Sequence, residues 1–237
     1  MNFKNNFTIG EVRNFWDGVA EIYEQKNKKI SETHNQRFVE AVKYLDLRNN
    51  DKVLNIWSRT GSAIPFLKNK NKNIELYNME VSLQIIKRAE EKFPEEKFGL
   101  TDLSRINFPD NYFDHILSLE TLEHCPEPPV FLRELNRLLK PGGKLVLSTP
   151  PASCEPLYAI YNFLGLGHGE GPHKFLSSKK VKYMLSESNF KILEHKGTLL
   201  IPLGPKFIKT LGEKIIKKFQ HTFISELGIR QFYVCRK

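Results

Sequence analysis

Residues able to do chemistry concentrate in one short segment, ETLEH at 120–124, and in a glycine-rich stretch further on that carries His168 and His173. If 120–124 forms a helical turn, spacings of three and four bring Glu120, Glu123 and His124 to one side, where they could converge on a divalent cation. Two carboxylates and an imidazole suit an ion that accepts both oxygen and nitrogen, so magnesium, manganese, iron and zinc are all compatible. The plain alternative is a capped loop that binds no metal. His168 and His173 offer a different chemistry, because an imidazole within reach of a hydroxyl can remove its proton near neutral pH. Their plain alternative is a pair of exposed loop histidines.

These side chains need elements to hold them. Past a polar amino-terminal region, the chain alternates short β-rich runs with helical periodicity from about residue 51 onward, the signature of a parallel sheet covered by helices. Strands are predicted at 52–57, 73–80, 97–103, 113–119 and 144–149, with a sixth from 190 and an antiparallel closing strand at 230–235. The run FDHILSL (113–119) is almost continuously apolar, as expected of a strand buried on both faces near the sheet centre. Helices are predicted around 63–68, through Leu83, Ile86, Ala89 and Phe93, from Pro128 to a stop at 141–143, and over 177–188 and 206–219. The stretch 150–174 is expected to be a long loop. In an open sheet of this kind ligands sit outside the carboxyl ends of the strands. The residues there are 55–61, Glu80, Asp102 and Leu103, 118–124, and the loop after Thr149.

The 237 residues are 40% apolar and 27% charged, which excludes disordered and fibrous classes. No eighteen-residue apolar run occurs, and no apolar core follows the first lysines, so neither a spanning helix nor a secretory signal is expected. Cys125, Cys154 and Cys235 are an odd number without CxxC spacing, which argues against a disulfide framework or a cysteine zinc site and for a reducing cytoplasm. The net charge is +9, and residues from 203 onward supply +6 of it through eight basic and two acidic side chains. Such a tail attracts phosphates, membrane surfaces or nucleic acid, or simply keeps a face solvated. The helix at 206–219 sets Phe207, Ile208, Leu211, Ile215 and Phe219 mostly along one stripe, expected to dock on the core.

Over roughly 53–197 the chain resembles the class I S-adenosylmethionine-dependent methyltransferases. The resemblance is carried by VLNIWSRTG (53–61), NMEVS (78–82), the long stretch TDLSRINFPDNYFDHILSLETLEHCPEPPVFLRELNRLLKPGGKLVLSTP (101–150) and HKFLSSKKVKYMLSESNFKI (173–192). It implies a doubly wound α/β fold with a mainly parallel seven-stranded sheet, organised as one domain. Residues 1–50 would be an amino-terminal lid region with Phe15, Trp16 and Tyr23, 51–150 the cofactor-binding core, and 151–237 the acceptor-side loop and closing elements. S-adenosylmethionine is the implied cofactor. Glu80 would accept hydrogen bonds from both ribose hydroxyls. Asp102 would accept from the adenine amino group while the N–H of Leu103 meets a ring nitrogen, and Ser118 ends the next strand beside them.

The first motif departs from this family. Its acidic position holds Asn55, two glycine positions hold Trp57 and Arg59, and only Gly61 remains. A positive φ at either substituted position would cost a non-glycine residue about 1–2 kcal/mol. The indole of Trp57 could fill space meant for the methionine end of the cofactor, whereas the guanidinium of Arg59 could bind its carboxylate. The ETLEH pattern is similar to that of the ubiquinone-biosynthesis O-methyltransferases and of the small-RNA 3′-terminal 2′-O-methyltransferases, both of which place a histidine after the fifth strand, matched here by His173. The implied activity is methylation of a hydroxyl on a small-molecule, glycan or lipid-like acceptor, with His173 or His124 taking the proton. The alternatives are a non-catalytic member with impaired cofactor binding and an RNA-modifying enzyme. No basic run interleaved with aromatics favours nucleic acid, and the tail is compatible with peripheral membrane contact.

Overall fold

The computed structural model describes residues 3–28, 31–163, 169, 171–201, 205–220 and 222–237, so His168 lies outside the described residues. Helices α1 (Ile9–Lys28) and α2 (Ser31–Ala41) precede strand β1 (Lys52–Ile56), α3 (Ile64–Lys70), β2 (Glu75–Glu80), α4 (Leu83–Lys92) and β3 (Lys97–Leu100). Strand β4 (Phe113–Leu119), α5 (Pro128–Leu138), β5 (Leu139–Thr149), α6 (Glu155–Phe163), α7 (Ser178–Glu187), β6 (Lys191–Thr198), α8 (Lys206–Lys218) and β7 (Arg230–Arg236) complete the order. One sheet takes the strands in the order β3-β2-β1-β4-β5-β7-β6, and only β7 runs antiparallel to its neighbours. The order reverses between β1 and β4, so a ligand crevice is expected outside their carboxyl ends.

Both faces of the sheet are buried, and the residues alternate between them. Leu54, Ile56, Ile116, Leu145, Leu147, Tyr233 and Cys235 pack with α1, α5 and α7 on one side. Val53, Leu117, Val146 and Phe232 pack with α2 and α3 on the other. This period of two explains why β1, β4 and β5 read as unbroken apolar runs: each has a core on either side.

Four local differences from the sequence expectations have physical causes. β3 ends at Leu100 rather than at 103, because Leu103 takes a φ of +69° that turns the chain off the sheet edge. β5 begins at Leu139, which pairs with Phe113 before the chain bulges at Gly142 (φ +78°) and Lys144 resumes pairing opposite His115. The stretch 150–174 is not all loop, since α6 occupies 155–163. In α8 it is Gly212 and Ile216 that turn inward, with Ile208 and Ile215 half-buried, while Phe207 and Leu211 of the expected docking stripe are 72% and 53% exposed. Gly212 permits this packing, because a Cβ there would stand 3.1 Å from Ile201.

Candidate cofactor and acceptor site

Helix α1 lies across the carboxyl ends of β1 and β2. Its Asp17 accepts from the Ser82 hydroxyl at 2.5 Å, Arg13 donates to the Val81 carbonyl at 3.0 Å, and Glu24 accepts from the Thr60 hydroxyl. Val12, Trp16, Ala20 and Tyr23 form its buried stripe. Trp16 and Tyr23, expected as lid aromatics, are packed into the core that α1 covers.

Glu80 ends β2 and is fully buried. One carboxylate oxygen accepts the Arg59 N–H at 2.8 Å and the other the Val81 N–H at 2.7 Å. Burial pushes its carboxyl above the ordinary carboxylate range; the Arg59 guanidinium and the N–H groups of Val81, Arg59 and Ser82 pull the other way. Desolvation penalises the ionised form more than the cation and the N–H donors stabilise it. Asp102 is exposed, and its Oδ1 accepts from the Ser104 N–H, the Ser104 hydroxyl and the Arg105 N–H. Partial burial raises its carboxyl, but these donors outweigh it and hold the group below its usual value. The Leu103 N–H meets the Thr101 hydroxyl at 3.3 Å. Asn55 bonds Asn78 across β1 and β2 at 2.9 Å and so stays within the sheet.

The loop after β1 keeps the backbone shape of a glycine turn without the glycines. Trp57 and Arg59 have φ of +59° and +52°, and Gly61 has +77°. Each non-glycine residue there stores about 1–2 kcal/mol. The Arg59 guanidinium lies 3.6 Å from the Trp16 ring centre and 4.3 Å from that of Trp57, making cation–π contacts with two indoles that stand perpendicular to each other. Trp57 in turn lies 5.1 Å from the His124 ring. Nearby, the Trp57 Nε1, the Ser58 hydroxyl and the Ser118 hydroxyl are buried without a hydrogen-bond partner among the described residues. Such orphans each cost about 1–3 kcal/mol and suit a site that completes them with a polar ligand.

The acceptor side is sewn together by the 122–124 turn and the 171–175 strand-like segment. His124 is buried, its Nδ1 lies 3.0 Å from the Pro172 carbonyl, and the Lys174 N–H donates to the Glu123 carbonyl at 2.8 Å. The carbonyl is an acceptor, so it assigns the proton to Nδ1 and makes Nε2 the basic nitrogen. The His124 and His173 rings are 6.3 Å apart. His173 places Nδ1 2.8 Å from the Gly171 carbonyl and Nε2 3.2 Å from Glu155. Glu155 had no sequence signal, because it stands on a helix inside what read as loop.

The expected metal constellation is corrected. Among the described residues no group of three or more His, Cys, Asp or Glu side chains could hold a metal ion. The helical turn starts at Leu122, and Glu120 precedes it at a φ of +53°, so its side chain leaves in another direction. There Glu120 accepts from the Ser148 hydroxyl at 2.7 Å and from Arg230 at 3.2 Å, while Glu123 accepts from the Thr149 hydroxyl at 2.9 Å. The RNA-directed alternative drew on this constellation and loses that support.

The methyltransferase-domain family matches residues 54–147. A demethylmenaquinone methyltransferase of Thermotoga maritima is 25% identical over 83% of this chain and 91% of its own length. A phosphoethanolamine N-methyltransferase of Arabidopsis thaliana is 31% identical over 52% of this chain, and the match spans only 26% of that longer protein. The crystal structure of the cyclase SpnF superposes with a TM-score of 0.73 over 100% of this chain and 98% of that one at 15% identity, a likeness of fold alone. Residues 54–147, two fifths of the chain, thus carry a methyltransferase domain, and these likenesses are consistent with the class I S-adenosylmethionine-dependent methyltransferases. Measured against that class, the first motif is altered at Asn55, Trp57 and Arg59.

The fit to that cofactor would be uneven: Glu80, Asp102 and the orphaned Ser118 hydroxyl are polar groups that an adenosine could engage, whereas in the turn after β1 the side chains of Trp57 and Arg59, packed with Trp16, fill the space that glycines would leave open.

Proposed function

We propose that this protein binds S-adenosylmethionine chiefly through its adenosine half and methylates an oxygen of a small lipid-like acceptor. The observation that carries the reading is Glu80, wholly buried at the end of β2 and aimed at the turn after β1. Glu80 would hold the ribose diol, the Leu103 N–H and Asp102 the adenine, and α1 would exclude water from above. The bound cofactor supplies a methyl group already activated by its sulfonium. The chain's own task is then positioning and proton removal. His124 is the group suited to take the hydroxyl proton, at Nε2, because Pro172 holds its other nitrogen. His173 meets acceptors at both nitrogens and acts as a positioning residue for the 171–175 segment. The relatives named for demethylmenaquinone and phosphoethanolamine support a small-molecule acceptor, and the exposed phenylalanines Phe163 and Phe207 on the acceptor-side elements support an apolar one. The test is incubation with methyl-labelled cofactor and a panel of hydroxylated quinones and phenols. Base-stable ether label, lost in His124→Ala, is expected; label on carbon or nitrogen would refute oxygen transfer.

A second reading has its own observation. Trp57 and Arg59 are 2% and 7% exposed and fill the methionine end, which suits a member that has given up catalysis and serves as a partner subunit. Absence of cofactor binding at millimolar concentration in a folded protein would establish it.

A further inference from the structure

We propose that the rim built from α6 and the chain from α8 to the start of β7 docks on an anionic lipid bilayer. Every strongly exposed phenylalanine among the described residues lies on these two segments: Phe163 is 90% exposed, Phe223 75% and Phe207 72%. Leu211 and Leu227, each more than half exposed, add to the same surface. Buried large apolar residues need no partner, but an apolar set this concentrated marks an interaction surface.

The outward face of α8 is graded. Phe207, Thr210, Leu211, Lys214 and Lys218 follow at helical spacing and are all exposed, so the stripe runs from apolar at its amino end to cationic at its carboxyl end. Lys214, Lys217 and Lys218 form no ion pair among the described residues, whereas Lys209 is paired with Glu32. The two acidic residues of this region do not offset the charge outward. Glu213 accepts the Leu199 N–H at 2.6 Å, and Glu226 faces Lys182 at 3.3 Å and His195 at 3.6 Å.

Topology puts the start of α6 and the start of α8 at one end of the molecule, and the chain after α8 runs back alongside β6, where Gln220 donates to Glu194 at 2.8 Å. α6 follows the carboxyl end of β5, and α8 follows that of β6, which runs parallel to β5 because both are antiparallel to β7. The Cys154 thiol reaches the Ile229 carbonyl at 3.9 Å and ties the start of the first segment to the end of the second. This is also the end at which β1 and β2 present Glu80. Lysines beside phenylalanine and leucine on one helix face are the pattern of a helix lying in a membrane interface.

Co-sedimentation of the full chain with phosphatidylcholine vesicles, with and without phosphatidylglycerol, tests this without reference to methyl transfer. Binding to the anionic vesicles at low salt is expected, weakening as salt rises. Lys214→Glu/Lys217→Glu/Lys218→Glu should reduce it by about tenfold or more. Phe207→Ser/Phe223→Ser should weaken it several-fold at both salts. All five positions are exposed, and an unchanged thermal midpoint confirms that each variant folds. No binding to anionic vesicles at low salt overturns the proposal. So does binding that both variants leave intact, or retention on single-stranded RNA with none on vesicles.

Discussion

The ends of β1 and β2 are neighbours in the sheet, yet the chain treats them in opposite ways. At β2 the carboxylate of Glu80 is retained, buried and held by two N–H donors. At β1 two glycine positions hold Trp57 and Arg59 and only Gly61 remains, but the backbone still follows a glycine turn, with Trp57 and Arg59 at φ of +59° and +52°. The difference separates two jobs of a glycine turn. One is to deliver a backbone N–H to Glu80, which the strained residues still do. The other is to leave space, which they do not. A binding site can therefore keep its scaffold and its polar end while its other end fills with side chains.

The largest expected effect is on the helix that closes this arrangement. Trp16 is 1% exposed, holds the Arg59 guanidinium over its ring and meets Tyr23 and His124 edge-to-face. Trp16→Ala should lower unfolding stability by about 3–5 kcal/mol, read from denaturant midpoints. A loss below about 1 kcal/mol would mean that α1 is not packed as a lid. Next comes Glu80→Gln, which removes charged hydrogen bonds to the ribose worth about 1.5–3 kcal/mol each and should cut affinity for S-adenosylhomocysteine by at least about tenfold.

Arg59→Gly should change stability by less than about 1 kcal/mol, because relief of about 1–2 kcal/mol of backbone strain offsets a desolvated cation–π contact of about 2 kcal/mol. The same substitution at an unstrained buried arginine would be far more costly, so chemical denaturation sharpens the contrast between turn and side chain.

A pH series separates Glu80 from its surroundings. Its folded-state value lies above the unfolded one, so its contribution is fully present below the unfolded pKa of about 4.5 and is lost as pH rises through the folded value. The melting temperature of Glu80→Gln minus that of the wild type should therefore grow between about pH 4 and about pH 7. A gap that shrinks over that window would contradict the burial of an ionisable carboxyl there. The smallest effect expected is that of a chelator, which should leave both stability and any methyl transfer unchanged, since Glu120 is turned to Arg230 and Ser148; metal retained through purification would reopen the site.

Legibility followed the strength of local constraint. β4 at 113–119 was readable to the residue because a strand with a core on both faces is mostly apolar, with Asp114 and His115 confined to its start and Ser118 near its end. Glu80 and Asp102 were readable as strand-end groups through the motif around them. Glu120 was not, because one positive φ before the 122–124 turn reverses its side chain, and nothing in ETLEH announces it. The face of α8 was also hidden: periodicity shows that a stripe exists, but Gly212 against Ile201 decides which side turns inward. Likewise the sequence marks Trp57 as bulky, while only its neighbours Arg59, Trp16 and His124 show how it is packed.

Calorimetric titration of S-adenosylhomocysteine into the wild type, Glu80→Gln and Trp57→Gly/Arg59→Gly tests the contrast between the two ends most directly. Weak but measurable binding by the wild type is predicted, with a loss of at least about tenfold in Glu80→Gln and tighter binding in the double glycine variant. Equal binding by the wild type and Glu80→Gln, or abolished binding in a folded double variant, would contradict it; the latter result would make Arg59 a ligand of the cofactor instead of an obstacle to it.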